Sequence, residues 1–251
     1  MRSVIMQPTY MPWAGFFDLM DQCDSFFFLD DVEFSKQSWQ QRNRIRGQHG
    51  LEWITVPVLT KGCSRQLISE TRLNGTAFVG KHVKQLRQNY GRARFFDRYI
   101  DSLAAVMRQA AETGLLCELN MSVILWIKEQ LGVECTIARA SRFEINARRS
   151  GRLVSLLREV GCTDYLSPVG SWEYLLEDYV LFEEAGIHIY LQRYQPVPHV
   201  QQFNPFVPYA SVLDLLFNEG PGSLELIRRG NLGVTTLHDF ARTMMEKKQC
   251  E

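Results

Sequence analysis

The sequence predicts an α/β protein: a Rossmann-like, mostly parallel sheet with helices on both faces and a helical insertion in the middle. Three observations lead there. Short apolar strands alternate with amphipathic helices at both ends of the chain. Three consecutive helical patterns occupy the centre with no strand between them. Polar, loop-forming residues follow directly on the apolar strands, where open α/β sheets bind their ligands.

The elements follow in order. Residues 3–6 form an apolar strand, and Pro12 opens a helix over 12–22, since proline is tolerated in a first helical turn. A second strand covers 25–29. Residues 31–50 are polar and mixed, without a period. Trp53 to Val58 reads as a strand, with Pro57 at its end or edge. Leu67 to Leu73 alternates as a short strand would and is closed by Asn74-Gly75. Helical spacing then recurs three times: Val79, Val83, Leu86 and Tyr90; Phe96, Ile100, Leu103 and Met107; and Leu116, Leu119, Val123, Ile127 and Leu131. Gly91, Gly114 and Gly132 stand where C-cap glycines are expected.

A short strand at 135–138, a basic amphipathic helix at 147–160, and a strand at 165–167 come next. A helix over 173–185 and a strand over 187–191 follow. Residues 194–210 form an aromatic, proline-rich loop, and 211–217 a short helix closed by Asn218-Glu219-Gly220. The chain is thus expected to be one α/β domain over 1–235, with the helical insertion at about 76–131 and a C-terminal helical tail over 236–251.

Composition limits the function. Lys plus Arg (28) equals Asp plus Glu (28) over 251 residues, so global charge gives no reason to expect nucleic acid as a partner. No apolar run approaches the roughly 20 residues that span a bilayer, so no membrane insertion is expected. The first apolar run is too short for a signal peptide, and a cytoplasmic location is the expectation. The six cysteines form no C-x-x-C pair and no zinc-like spacing with histidine, so they read as free thiols with no metal among them. Cys63, close to Lys61 and Arg65, stands out because nearby cations favour a thiolate.

Five groups of residues are candidates for chemistry. Gln7 and Tyr10 lie in the loop leaving the first strand. The layout resembles the opening of nucleotidylyltransferases but lacks the two histidines that stabilise the transferred phosphate there. Asp30 and Asp31 end the second strand and are candidate bases or diol ligands, with capping of the loop as the bland alternative. Lys36, Arg42, Asn43 and Arg44, with Arg46 and Trp39 beside them, suit a small anionic ligand, because guanidinium forks match phosphate oxygens and an aromatic can stack a base. Arg139, Arg142, Arg148, Arg149 and Arg152 form a second basic cluster around a helix start, where backbone N–H groups also favour anions. Ser167 and Gly170 follow a strand and open a helix. His199 in the proline-rich loop is a candidate acid or base near neutral pH, with Gln201 beside it.

The ordered segments Gln7-Pro8-Thr9-Tyr10-Met11-Pro12-Trp13-Ala14-Gly15-Phe16-Phe17, Phe28-Leu29-Asp30-Asp31-Val32, Arg42-Asn43-Arg44-Ile45, Trp53-Ile54-Thr55-Val56-Pro57, Tyr165-Leu166-Ser167 with Gly170 and Tyr174-Leu175, and Ser211-Val212-Leu213-Asp214-Leu215-Leu216-Phe217-Asn218-Glu219-Gly220 together resemble the WbqC-like family of bacterial proteins. They span roughly residues 3–220. The chain departs from the family's Tyr-x-Gln in the late loop, where it carries His199-Val200-Gln201. The resemblance implies a transferase of surface-polysaccharide or specialised-metabolite biosynthesis that moves an acyl or aminoacyl group to an amine of an amino-sugar nucleotide. The resemblance assigns no catalytic residues; on their own chemistry Asp30, Asp31 and His199 are the catalytic candidates, as bases for the attacking amine. Gln7, Tyr10, Lys36, Arg42, Asn43, Arg44, Ser167, Gly170, Tyr174, Gln201, Asp214 and Asn218 are the candidate substrate contacts. Expected partners are a small anionic or nucleotide-linked substrate and a carrier protein; no cofactor is expected. Two alternatives remain: a nucleotidyl or glycosyl transferase with Mg²⁺ on Asp30 or Asp31, and a non-catalytic module that binds a ligand or carrier.

Overall fold

The structure is a computed structural model that describes residues 1–63 and 65–249; of residues 248 and 249 only the backbone is described. Its frame is a six-stranded sheet formed by β1 (Arg2–Met6), β2 (Ser25–Phe28), β5 (Thr136–Arg139), β6 (Asp164–Ser167), β7 (His188–Tyr194) and β8 (Asn231–Thr236). The spatial order is β5-β2-β1-β6-β7-β8. All neighbours run parallel except β8, which closes the β7 edge antiparallel. Counting only these strands in chain order gives 3-2-1-4-5-6, the Rossmann order, and the order reverses between β1 and β6.

The strands between the two edges, β1 and β2 above all, are buried on both faces and read as continuous apolar runs rather than as alternation. Their residues nevertheless divide between two cores. Val4, Phe26, Phe28 and Leu166 face one core, filled by α1 (Ala14–Asp21), α2 (Phe78–Tyr90), α3 (Phe96–Ala111), α4 (Leu116–Leu131), α8 (Val212–Glu219) and α9 (Ser223–Gly230). Ile5, Phe27, Tyr165, Ile189 and Leu191 face the other. There they meet α5 (Ser150–Glu159), α6 (Trp172–Glu177), α7 (Tyr179–Glu184) and the start of α10 (Leu237–Gln249). Helices on both faces and a three-helix insertion, α2–α4, therefore match the fold class expected from the sequence. α10 packs its buried Leu237 and Ala241, with Phe240 edge-on to Trp172.

Four elements differ from expectation. Residues 42–47 and 50–55 form a separate antiparallel hairpin, β3 (Arg42–Gly47) and β4 (Gly50–Thr55), where the sequence showed only a polar stretch followed by a strand beginning at Trp53. Leu67 to Leu73 is not a strand. It wraps as an extended segment around a single 3-10 turn at Ile68–Glu70 and touches its neighbours through single bridges at Glu33, Val58 and Leu115. The helix expected over 173–185 is two helices broken at Asp178. β8, with its threonines and Gly233, carried no apolar signal because it is an edge strand. Gly132 is the expected left-handed C-cap, at φ 74°, whereas Gly91 caps α2 in right-handed geometry.

Candidate functional site

The carboxyl ends of β1, β2 and β6 open onto a trough at the point where strand order reverses. It consists of three adjoining hollows of about 260, 350 and 450 Å³. Met6, Thr9 and Trp39 are shared by the first two. Gln7, Leu29, Leu153 and Tyr174 are shared by the second and third.

One end is aromatic and cationic. Alternation along β3 puts Arg42, Arg44 and Arg46 on one face, and Arg44 lies opposite Trp53 in β4. The Arg42 guanidinium sits 4.1 Å from the Trp53 ring centre, and that of Arg44 sits 5.4 Å from Trp39 and 5.7 Å from Trp53. The two indoles are 5.5 Å apart and each is nearly half exposed, at 47% and 45%. Neither Arg42 nor Arg44 forms an ion pair among the described residues. Arg46 has a different task. It is 2% exposed and donates to the carbonyls of Gly47 (2.5 Å), Phe203 (3.0 Å) and Pro205 (3.0 Å) and to Gln201 Oε1 (3.3 Å). Its charge thus fastens the proline-rich loop.

The middle of the trough is hydroxyl-rich. Gln7 is exposed there and accepts a hydrogen bond from Gln40 Nε2 at 2.8 Å. Tyr165, Ser171 and Tyr174 line the opposite wall. Burial pushes both phenols above their usual range, so they stay protonated near neutral pH. Ser167 is fully buried at the end of β6. Gly170 is exposed in a 3-10 turn and has nothing within 4 Å of where a Cβ would stand, so no close approach there requires glycine. The far end carries Arg149 and Arg152 from α5 and its approach, with Glu177 and Asp178 from the end of α6.

The remaining candidates are placed as follows. Asp30 is fully buried, and its two oxygens accept from the backbone N–H (3.0 Å) and hydroxyl (2.8 Å) of Ser141. Asp31 is ion-paired with Arg152. Both carboxylates thus hold the turn between β5 and α5. Tyr10 is fully buried, its hydroxyl 2.9 Å from His82 Nδ1. His82 Nε2 lies 3.1 Å from Thr55 O, so it donates there while Nδ1 accepts from the phenol. Burial lowers the His82 pKa to about 4, which keeps the ring neutral in that arrangement. Asn43 donates to Tyr10 O at 3.0 Å. Lys36 is exposed on the turn before Trp39.

His199, Gln201, Asp214 and Asn218 form a separate knot beneath the proline-rich loop. His199 Nε2 and Gln201 Nε2 each lie 2.8 Å from Asp214 Oδ2. His199 Nδ1 lies 3.3 Å from Val197 O, so both ring nitrogens face acceptors. Asn218 bridges Asp214 O and Gln202. This knot and the trough share Trp13 and Tyr209 as lining residues. Cys63 is exposed near the loop tip, away from the trough.

One residue that sequence reasoning missed is Asn120 on α4. Fully buried, it donates to Pro8 O at 2.9 Å and Gln40 O at 2.7 Å and so ties the insertion to the loop after β1. An asparagine on the buried stripe of an apolar helix was the available signal. Among the described residues, no group of three or more His, Cys, Asp or Glu is placed to hold a metal ion, and no helix is long and apolar enough to cross a membrane.

The model of the WbqC-like protein family matches residues 7–226, a span that includes the loop after β1, the hairpin, the trough and the knot. The chain belongs to the WbqC-like family. A relative of this WbqC-like protein, the uncharacterized protein Rv1507c of Mycobacterium tuberculosis, is 34% identical over 228 residues, covering 90% of this chain and 97% of its own. No solved structure matches the chain.

Proposed function

We propose that this WbqC-like protein binds a nucleotide-linked amino sugar in the trough and transfers an acyl or aminoacyl group to its amine, in the making of a bacterial surface polysaccharide or specialised metabolite. The observation that carries the reading is the cluster of Arg42 and Arg44 against two half-exposed tryptophans, without a carboxylate partner, which reaches the trough through Trp39 and Arg44. Unpaired guanidinium groups beside open π-faces suit a ligand that is both aromatic and anionic, as a nucleoside diphosphate is. In this reading the base rests on Trp39 and Trp53 and the phosphates on Arg42 and Arg44. The sugar reaches Gln7 and Ser171. The protonated phenol of Tyr174 donates to the oxyanion that develops on the acyl carbon. Glu177 or Asp178 accepts the proton of the attacking amine. Asp30, Asp31 and His199, each already committed to hydrogen bonds, act by positioning. The acyl donor is an activated thioester delivered by a carrier protein: the C–N bond forms, the C–S bond breaks, and the carrier's thiolate leaves and takes up the proton given up by the amine.

Isothermal titration with nucleoside diphosphates and their amino-sugar conjugates tests the binding. Arg42→Ala with Arg44→Ala is expected to weaken it at least about tenfold, the loss of charge-assisted hydrogen bonds to phosphate, with the melting point unchanged. Unchanged affinity in that double variant overturns the assignment. A second reading, a non-catalytic module presenting its ligand to another enzyme, is favoured by the same engagement of Asp30, Asp31 and His199. Tight binding with no acylation from any thioester would select it.

A further inference from the structure

Resting on the function proposed above, we infer that the amino sugar in the trough also carries a carboxylate, as an amino-uronic acid does, and that the N-terminus of α5 holds this group. The far hollow, of about 450 Å³, is lined by Arg149, Ser150 and Leu153 at the start of α5 and by Glu177 and Asp178 at the end of α6. Ser150 and Leu153 are three residues apart, so they share the face of α5 that meets the hollow. Ser150 is 2% exposed, yet its hydroxyl has no hydrogen-bond partner among the described residues. A buried hydroxyl left unpaired is costly, and an acceptor in the hollow removes that cost. The backbone points the same way. Arg149, the N-cap residue, caps no N–H with its side chain. Arg152 N and Leu153 N turn back to Arg149 O at 3.0 and 3.4 Å, but the N–H groups of Ser150 and Gly151 have no acceptor among the described residues. Free N–H groups at a helix start carry the positive end of its dipole, and carboxylates bind there.

The charges around this helix start define the ligand. Arg152 is taken up by Asp31, whereas Arg149 forms no ion pair among the described residues and is exposed. Glu177 and Asp178 form none either, with Arg149 or with any other cation among those residues. Both signs therefore line one hollow without neutralising each other. Two carboxylates repel a phosphate dianion but suit an ammonium group, while Arg149, the Ser150 hydroxyl and the free N–H groups suit a singly charged acceptor. A ligand that matches both has an amine and a carboxylate in one small unit. A hexosamine oxidised to the acid at its sixth carbon has them on a single pyranose ring. Its amine meets Glu177 or Asp178, which take its proton, and its carboxylate meets Ser150 and the start of α5. The carboxylate thereby fixes which way the ring faces and which amine is presented to the acyl donor.

The full chain is titrated calorimetrically with UDP-glucosamine and with UDP-glucosaminuronic acid, and melted with each free sugar at matched ionic strength. The uronic conjugate is expected to bind at least about tenfold more tightly than the neutral one. Arg149→Gln with Ser150→Ala is expected to erase that preference and to leave the affinity for UDP-glucosamine unchanged. Free glucosaminuronic acid is expected to raise the melting point above its value with glucosamine, and to lose that effect in the same double variant. Equal affinity for the two conjugates, with both weakened by Arg42→Ala and Arg44→Ala, overturns the inference and leaves the nucleotide site standing. A melting-point rise with the free sugar acid, while neither conjugate depends on Arg42 and Arg44, does the reverse. A uronic preference that survives Arg149→Gln with Ser150→Ala also overturns the inference, because the carboxylate is then held elsewhere.

Discussion

The neutral, buried His82 makes a prediction that can be worked out in numbers. Its pKa is lowered from 6.5 to about 4 by burial. The unfolded chain therefore takes up a proton near pH 6.5 that the folded protein refuses until about pH 4. The stability this histidine permits is complete above pH 6.5 and is lost as pH falls from there toward 4. Between about pH 7.5 and pH 4.5 the loss comes to about 2.5 kcal/mol. With an m-value of about 3 kcal/mol/M, the urea midpoint falls by about 0.8 M. Asp18 opposes this trend. Its carboxylate is held by Gln22, Gln192 and Asn231, yet burial raises its pKa to about 6, so its contribution to stability grows as pH falls through 6. The native curve alone thus mixes two signs. The difference between the native protein and His82→Gln removes Asp18, because the two lie on different elements. Urea unfolding at intervals across this pH range should show the native protein losing about 2.5 kcal/mol relative to His82→Gln. Parallel curves for the two proteins would refute the assignment of a neutral His82.

Other perturbations test the supports of the site. Arg46→Met should cost about 3 kcal/mol, since it strips charge-assisted partners from buried carbonyls; limited proteolysis should then cut within 200–208, and Arg46→Lys should not restore protection. Gly15→Ala adds a Cβ that would stand 2.4 Å from the Trp13 ring; despite better helix propensity it should destabilise by about 1–3 kcal/mol, push the indole toward the trough, and shift tryptophan emission. Asn120→Leu leaves the Pro8 and Gln40 carbonyls without their donor and should cost about 1–3 kcal/mol while weakening nucleotide binding; thermal melts and titration read both.

Much of this architecture was legible in the sequence because strands buried on both faces and helices with one apolar stripe leave opposite marks on hydrophobic spacing. The hairpin left none. Arg42, Arg44 and Arg46 occupy one face of β3, so alternation there runs cationic rather than apolar, and the outer two cations rest on tryptophans while the inner one is swallowed by a loop 155 residues away. Leu67 to Leu73 failed the opposite way: it alternates, but it pairs with different neighbours at each bridge instead of with one strand. In the site, the carboxyl ends of β1 and β2 were legible at Gln7 and Asp30, and the basic stretch at Arg42 and Arg44. It did not tell which polar side chains turn inward. Tyr10, Asp30 and Asn43 each follow a partly exposed residue in the chain, yet each is drawn into the protein by a particular distant partner: His82, Ser141 and the Tyr10 carbonyl.

The long reach of Arg46 bears on how this protein comes to be made. During synthesis the hairpin leaves the ribosome well before Phe203 and Pro205 exist, so its guanidinium must wait in water for a cradle that the last fifth of the chain supplies. Docking of that loop is therefore a late event and acts as a check on completion. A chain stopped before residue 200 keeps an arginine without its partners at Gln201, Phe203 and Pro205 and a hairpin with one open flank, and it should be recognised by proteases as unfinished even though most of its sheet has been synthesised.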